Sequence, residues 1–346
     1  MDRFEEIAMD WFEELTGFRE GTYNETREKL EVRDGRLVSH VNGRSYGIGK
    51  LELVSLADLR AAVTEIPANG RLRVGNVSGD VRALHRDPAN RGALFQVASQ
   101  FNLLEMTGYS VTPEDGVTRY ASDPTQGPAC AIAAGAATIY RNYFAPVGEQ
   151  VGQTAERQVD ALAQLRATLA TLVGVEPEEL WVMRNGYALP PAQGLRAAAD
   201  ILKHISAGER ESLKEHLQIG LHWDVEVTDG APAVQVLSQA FCSAMPVSYS
   251  GLSRLAWEPL ARLVLEAAYE ATLAAAVLNA ARGGAGTVFL TRLGGGAFGN
   301  DDAWIDDAMR LAFRRYGGFG LDARLVSYGG VTATMKTLAA EFTARD

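Results

Sequence analysis

The stretch Thr291–Asn300, TRLGGGAFGN, decides the fold, because it places a loop almost without side chains between a strand and a helix. The apolar run TVFL before it is typical of a buried strand, and AWIDDAMRLAFRRY after it has helical spacing. Glycines let backbone N–H groups approach a ligand closely and reach positive φ angles. In open α/β sheets, ligands bind at the carboxyl ends of strands, where such loops begin. The stretch therefore predicts an anion site, and a tightly packed turn is the alternative.

Strand and helix patterns alternate along the rest of the chain, which predicts a mostly parallel α/β sheet with helices on both faces. The predicted strands after residue 71 are 72–81, 92–101, 179–189, 217–227, 233–249, 287–290 and 323–329. The predicted helices are 56–66, 129–144, 154–174, 195–217, one from 258 and one from 303.

Residues 1–70 predict a separate α+β extension before the main domain, 71–346. An acidic amphipathic helix opens the extension, and residues 29–56 then alternate apolar and polar side chains. Asp34-Gly35 and Asn42-Gly43 are turn dipeptides typical of hairpins. The sequence gives no role for this extension.

Composition excludes several classes of function. The 346 residues carry a net charge of −10 without a cluster of Lys and Arg, so we expect no nucleic-acid partner. The N-terminus lacks the pattern of a signal peptide, and the most apolar helix contains Arg262, Glu266 and Glu270, so we expect a cytoplasmic protein without a membrane partner. Cys130 and Cys242 are expected to be buried free thiols.

The scattered histidines and cysteines predict no metal site and no cofactor. A Mg²⁺ ion held by carboxylates and water would leave no clear trace in the sequence.

Several segments, taken in order, resemble a macrodomain, the ADP-ribose-binding three-layer α/β/α fold built on a mixed sheet. The matching segments are GDV (79–81), the strand ending ASQFN (98–102), TQGPACAI before a small-residue helix, and FLTRLGGGAFGN. The glycine loop is most similar to that of poly(ADP-ribose) glycohydrolases. The chain lacks their Gly-Gly-Gly…Gln-Glu-Glu signature, and EDGVTRYASDPTQGPAC replaces the usual substrate loop. It is most similar to atypical bacterial macrodomains that remove ADP-ribose from modified proteins.

The resemblance implies binding residues for each part of ADP-ribose. Asp80, beside Val81, would accept a hydrogen bond from the adenine amino group, and Asn102 would bind the distal ribose hydroxyls. Gln126 and Gly127 would contact the distal ribose and phosphate, and Tyr249 would line the adenosine cleft. The pyrophosphate would lie on the loop formed by Gly294, Gly295, Gly296, Ala297, Phe298, Gly299 and Asn300.

Asp115 and Asp123 are the predicted catalytic residues, with Glu114 as a third candidate. They lie in one loop whose prolines and glycines can turn both carboxylates toward one site. Cleavage of an ADP-ribosyl bond uses one carboxylate to activate water and a second to assist the leaving group. If that group is an arginine guanidinium, paired carboxylates also match its N–H donors.

The residues leave alternatives open. Each acidic residue also fits a solvated loop, Asp80 a turn, Asn102 a satisfied loop amide, Asn300 a helix cap and Tyr249 the edge of the core. We therefore expect a hydrolase that removes ADP-ribose from a protein side chain, with arginine as the candidate. The alternatives are a reader that binds ADP-ribose or an ADP-ribosylated protein without cleaving it, and an unrelated nucleotide-binding α/β protein.

Overall fold

The computed structural model describes residues 9–231 and 233–343. Its helices are α1 Trp11–Thr16, α2 Tyr23–Glu28, α3 Leu56–Thr64, α4 Val81–Arg86, α5 Gln126–Ala133, α6 Gly135–Tyr143, α7 Ala163–Val173, α8 Pro177–Leu180, α9 Ala192–His204, α10 Ala207–Lys214, α11 Arg254–Ala281, α12 Asp302–Arg315 and α13 Ala333–Phe342. Its strands are β1 Leu30–Arg33, β2 Arg36–Ser39, β3 Ser45–Gly47, β4 Lys50–Ser55, β5 Arg73–Ser78, β6 Leu94–Ala98, β7 Pro146–Val147, β8 Gln150–Val151, β9 Val182–Arg184, β10 Tyr187–Leu189, β11 Gln218–Glu226, β12 Val236–Cys242, β13 Thr287–Leu290 and β14 Asp322–Ser327.

A seven-stranded mixed sheet in the order β4-β11-β12-β6-β13-β14-β5 organises the molecule. The five strands from β12 to β5 are parallel, and β11 and β4 are antiparallel additions at one edge. The expected α/β class with a mostly parallel sheet is confirmed.

Alternate residues of the central strands pack into two separate cores, so helices cover both faces of the sheet. Phe95 and Phe289 point to a core shared with α4 and α5. Leu94 and Leu290 point to the opposite and larger core around α11. Among the described helices, α11 is the one that is long and apolar enough to cross a membrane, but 83 % of its most apolar window is buried inside the protein.

The extension contains the expected hairpins. Strands β1, β2 and β3 form an antiparallel sheet, and Asp34 and Gly35 have the positive φ angles of a tight turn. Strand β4 pairs along its whole length with β11 and so belongs to the main sheet. The part of the predicted opening helix in residues 1–8 lies outside the described residues. The boundary at residue 70 stays a prediction.

Several predicted elements are wrong in detail. The helix predicted at 154–174 begins only at Ala163. The helix at 129–144 is two helices, because the Gly135 N–H donates to Thr228 Oγ1 (2.8 Å) instead of continuing the helical ladder. The segment 179–189 is a hairpin of β9 and β10, and its turn dipeptide Asn185-Gly186 has positive φ at both residues. The strand at 233–249 ends at Cys242, which leaves Tyr249 in a short 3-10 helix.

Candidate active site

A cavity of about 420 Å³ lies at the carboxyl ends of the parallel strands. Ala98, at the end of β6, and Thr291, just after β13, form part of its floor. Its rim reaches Tyr328, which follows β14 and is 83 % exposed. Parallel strands bring their carboxyl ends to the same edge of a sheet, and ligand sites of α/β proteins occur there. The volume is in the range of small-molecule sites.

The glycine loop forms one wall of this cavity with unpaired backbone donors. Gly294 and Gly299 take positive φ angles of 70° and 71°, and the Asn300 N–H closes the turn on the Gly294 carbonyl (2.9 Å). Among the described residues, no protein acceptor binds the N–H groups of Gly296, Ala297 and Phe298. These consecutive free amides are suited to an anion.

The predicted loop residues divide into two groups. Gly294, Gly296, Ala297 and Phe298 line the cavity, whereas Gly295, Gly299 and Asn300 do not. A side chain at Gly299 would collide with Ser248, and Asn300 is buried, with its amide donating to the Met245 carbonyl (2.9 Å). Asp301, not Asn300, caps α12 by accepting from the Ala303 N–H (2.9 Å). The loop amides therefore remain the donors for an anion.

The N-terminus of α5 forms a second wall and presents a second set of donors. Gln126 and Gly127 line the cavity, and their N–H groups lack a protein acceptor among the described residues. The Gln126 side chain is not free for a ligand, because it bridges the Ala98 N–H (2.9 Å) and the Gln96 carbonyl (2.8 Å) of β6. This bridge ties the helix N-terminus to the end of the strand.

Glu105 is a buried acidic residue that lines the cavity, and it is not among the residues predicted from the sequence. Glu105 is 2 % exposed, and its Oε1 atom has no hydrogen-bond partner. Burial raises the pKa of Glu105 well above its usual range, although the positive charge of Arg141 lowers it in part. The signal available in the sequence was a lone acid in the apolar segment FNLLEM after β6.

The loop that carries Glu105 is held in an unusual conformation. Leu103 has a φ of 63°, which branched side chains rarely adopt. The fully buried Arg141 donates from Nε to the Leu103 carbonyl (3.1 Å). On the other side, the carboxylate of Glu105 packs against Gly127, where a Cβ atom would collide with it. These contacts fix the carboxyl group against the α5 N-terminus.

Of the three predicted catalytic residues, only Asp123 reaches the cavity. Its Oδ1 accepts from the Thr125 N–H (2.9 Å), just ahead of α5. Glu114 instead accepts from the Ala155 N–H (2.9 Å), and Asp115 accepts from the Thr112 N–H (2.9 Å) to cap its own 3-10 helix. The structure therefore brings Asp123 together with Glu105, not with Asp115.

Asp80, Val81 and Asn102 also lie outside the cavity lining. Asp80 caps α4 by accepting from the Arg82 N–H (2.9 Å), and Val81 is buried in the core. Asn102 is fully buried and donates to Gln158 Oε1 (2.8 Å), so its amide is not available to a ribose. Asn102 matches its alternative as a satisfied loop amide, whereas Asp80 is a helix cap rather than the turn residue that its alternative described.

Aromatic rings cover the side of the cavity next to Glu105. Tyr249 lines it, with its ring centroid 5.0 Å from that of Tyr187 and 5.5 Å from that of Phe298. Tyr187 is fixed in turn, because its hydroxyl donates to the Met106 carbonyl (2.7 Å). These contacts leave an apolar wall beside the acidic end.

Arg292 is the one cationic side chain among the described residues that line the cavity. Its guanidinium is bound by Asp306 (2.6 Å) and Asp302 (2.8 Å), which fasten the start of the glycine loop to α12. Among the described residues, no group of three or more His, Cys, Asp or Glu side chains is placed to hold a metal ion.

The comparisons with known proteins give only distant structural neighbours. No family model matches the chain, and no curated protein sequence matches it. The chain is similar to the poly(ADP-ribose) glycohydrolase of Deinococcus radiodurans in complex with ADP-ribose, at 13 % identity and a TM-score of 0.43, over 84 % of this chain and 91 % of that one. It is also similar to the poly(ADP-ribose) glycohydrolase of Thermomonospora curvata, at 15 % identity and a TM-score of 0.43, over 92 % and 97 % of the two chains. These values do not establish a family for the chain.

Proposed function

We propose that the cavity binds ADP-ribose and that the protein hydrolyses an ADP-ribosyl bond to a protein side chain. One observation carries this proposal: two sets of free backbone N–H groups, from the glycine loop and the α5 N-terminus, line a cavity that also holds the buried, unpaired carboxyl of Glu105. A diphosphate needs several donors at close range, and backbone amides and helix N-termini supply them without a large positive field.

The ends of the cavity suggest how the ligand would lie. Tyr328, exposed at the rim, offers a ring face for stacking by a base. Asp80 follows the neighbouring strand β5, so it stands beyond Tyr328 at the same edge of the sheet. The distal ribose would then lie at the opposite end, near Glu105 and Asp123. We further propose a macrodomain-like fold, with an adenine contact outside the cavity by the Asp80 carboxylate oxygen that does not accept from the Arg82 N–H.

Glu105 and Asp123 have the different environments that glycoside cleavage needs. The raised pKa of Glu105 keeps a proton on its carboxyl group, which it can give to the leaving atom as the bond to C1″ breaks. Asp123, more exposed and bound by one N–H, can accept the proton of the attacking water. The products are free ADP-ribose and the unmodified side chain. We propose this reaction without a cofactor or metal.

Arginine-linked ADP-ribose is the first substrate we propose. The departing guanidine nitrogen takes up a proton, which Glu105 can supply on the face opposite the water activated by Asp123. Because the protein carries a net charge of −10, we further propose that its substrate is a cytoplasmic protein and that it binds neither nucleic acid nor a membrane. A reader module is the second candidate function, but binding alone gives no use for a buried, unpaired carboxyl in the cavity.

The first test is the thermal unfolding of the protein with ADP-ribose, with AMP and ribose 5-phosphate as controls. A ligand at about 100 times its Kd stabilises by about 2.7 kcal/mol. The second test is release of ADP-ribose from arginine-linked, glutamate-linked and polymeric substrates. Binding without release on all three supports the reader, and no shift at millimolar ADP-ribose overturns the site.

A further inference from the structure

The 3-10 helix Thr118–Ser122 binds the backbone of both acidic residues of the cavity. The Glu105 N–H donates to the Tyr120 hydroxyl (3.2 Å), and the Asp123 N–H donates to the Tyr120 carbonyl (3.2 Å). Tyr120 is 1 % exposed and packs in a core cluster with residues of the N-terminal extension, including Phe12 and Phe18. The position of this short helix therefore sets the position of both acids.

Glu20, between α1 and α2, binds the start of that helix. Its carboxylate accepts from the N–H groups of Val117 (2.8 Å) and Thr118 (2.7 Å). The same carboxylate accepts from the Tyr143 hydroxyl of α6 (2.6 Å). Charge-assisted bonds of this length are among the stronger hydrogen bonds in proteins, so Glu20 joins three parts of the chain at one point.

The opposing backbone has the shape that this contact requires. Gly116 has a φ of 80°, and a Cβ atom built on it would lie 2.5 Å from a Glu20 carboxylate oxygen. Only glycine allows both the angle and the close approach. The turn at Gly116 thus exposes two successive N–H groups to an anion that the chain itself supplies.

We propose that Glu20 is a positioning residue for the reaction and that the N-terminal extension is an internal brace for the acidic end of the cavity. This inference rests on the proposed hydrolase function. Glu20 does not line the cavity, and neither wall of backbone donors is bound by its carboxylate. Its loss should therefore affect turnover and leave ligand binding almost unchanged.

The test compares Glu20→Gln and the milder Tyr143→Phe with the control Glu14→Gln, which alters an exposed carboxylate of α1. The assays are steady-state hydrolysis of an ADP-ribosyl-arginine peptide, its pH profile, and the Kd of ADP-ribose. We expect kcat to fall about 10- to 100-fold in Glu20→Gln, since small misplacements of catalytic groups have effects of that size. KM and Kd should change little, and the limb of the pH profile that reports the acids should shift.

A purely structural role would lower the folded fraction without moving the pH profile, and that result, or wild-type kcat in Glu20→Gln, overturns the inference. Hydrogen exchange separates this failure from failure of the proposed function. Exchange in residues 117–123 should rise in Glu20→Gln and Tyr143→Phe but not in Glu14→Gln, while residues 291–300 stay unchanged. If wild-type protein releases no ADP-ribose, the proposed function fails, and unchanged exchange in 117–123 overturns the brace as well.

Discussion

Replacement of Glu105 by glutamine is the most informative perturbation of this site. The amide keeps the shape of the side chain but cannot give a proton to a leaving group. General acid–base catalysis by one positioned side chain contributes about 10²- to 10⁴-fold. We expect Glu105→Gln to lower kcat by that factor and to keep ADP-ribose binding, because the diphosphate donors lie on the glycine loop and α5.

The same substitution lowers turnover but should make the protein more stable relative to wild type as pH rises. The direction of this stability effect follows from the burial of Glu105. Burial raises the pKa of Glu105 in the folded state above its ordinary value of 4.5. Above that ordinary value the unfolded chain is ionised while the folded chain still holds the proton, so folding becomes less favourable as pH rises toward the folded pKa. Each unit of pKa difference corresponds to about 1.4 kcal/mol.

Urea unfolding of wild type and Glu105→Gln between pH 5 and pH 8, with kcat measured at each pH, tests both effects. The stability of wild type relative to the variant should be highest at pH 5 and fall as pH rises. Asp115→Asn is the matched control, since Asp115 lies outside the cavity and should change neither quantity. Wild-type turnover in Glu105→Gln, or a stability difference that does not vary with pH, would refute the assignment.

Three further predictions concern the ligand and the core. Gly296→Asp should weaken ADP-ribose binding at least tenfold, because the new carboxylate repels the diphosphate. The unfolding temperature should not change, because a Cβ atom at this position meets nothing within 4 Å. Gly251→Asp, at an equally open position, is the control for both measurements. Tyr328→Ala should weaken ADP-ribose binding by about 1–3 kcal/mol, because the stacking of the base on the ring is lost. An unchanged Kd in calorimetric titration would show that the base does not stack on Tyr328. Arg60→Ala should destabilise the protein by about 1.5–3 kcal/mol in urea unfolding, because it removes a charged hydrogen-bond partner 2.7 Å from the buried Glu270 carboxylate. A loss below 1 kcal/mol would show that Arg315 and Lys214, which also contact Glu270, compensate its charge without Arg60.

The fold class could be predicted because its signals are local. The period of apolar residues gave the central strands and most helices, and the turn dipeptides gave the hairpins of the extension. The glycine loop was found because a bare turn between strand and helix has a direct backbone consequence. The break between α5 and α6 could not be predicted, since its cause is a bond to Thr228, which is distant in sequence.

The sequence by itself determined that this chain is a mostly parallel α/β protein with a glycine loop between a strand and a helix after TVFL. It also indicated an acidic loop near the predicted anion site, but it could not distinguish Glu105 from Asp115. Both are acids in loops after β6, and only the packing decides which one is buried in the cavity and which one caps a helix in solvent. The difference between the two acids depends on Gly127 and on the brace at Glu20. A carboxyl group acquires its pKa and its orientation from neighbours that come together only when the chain folds.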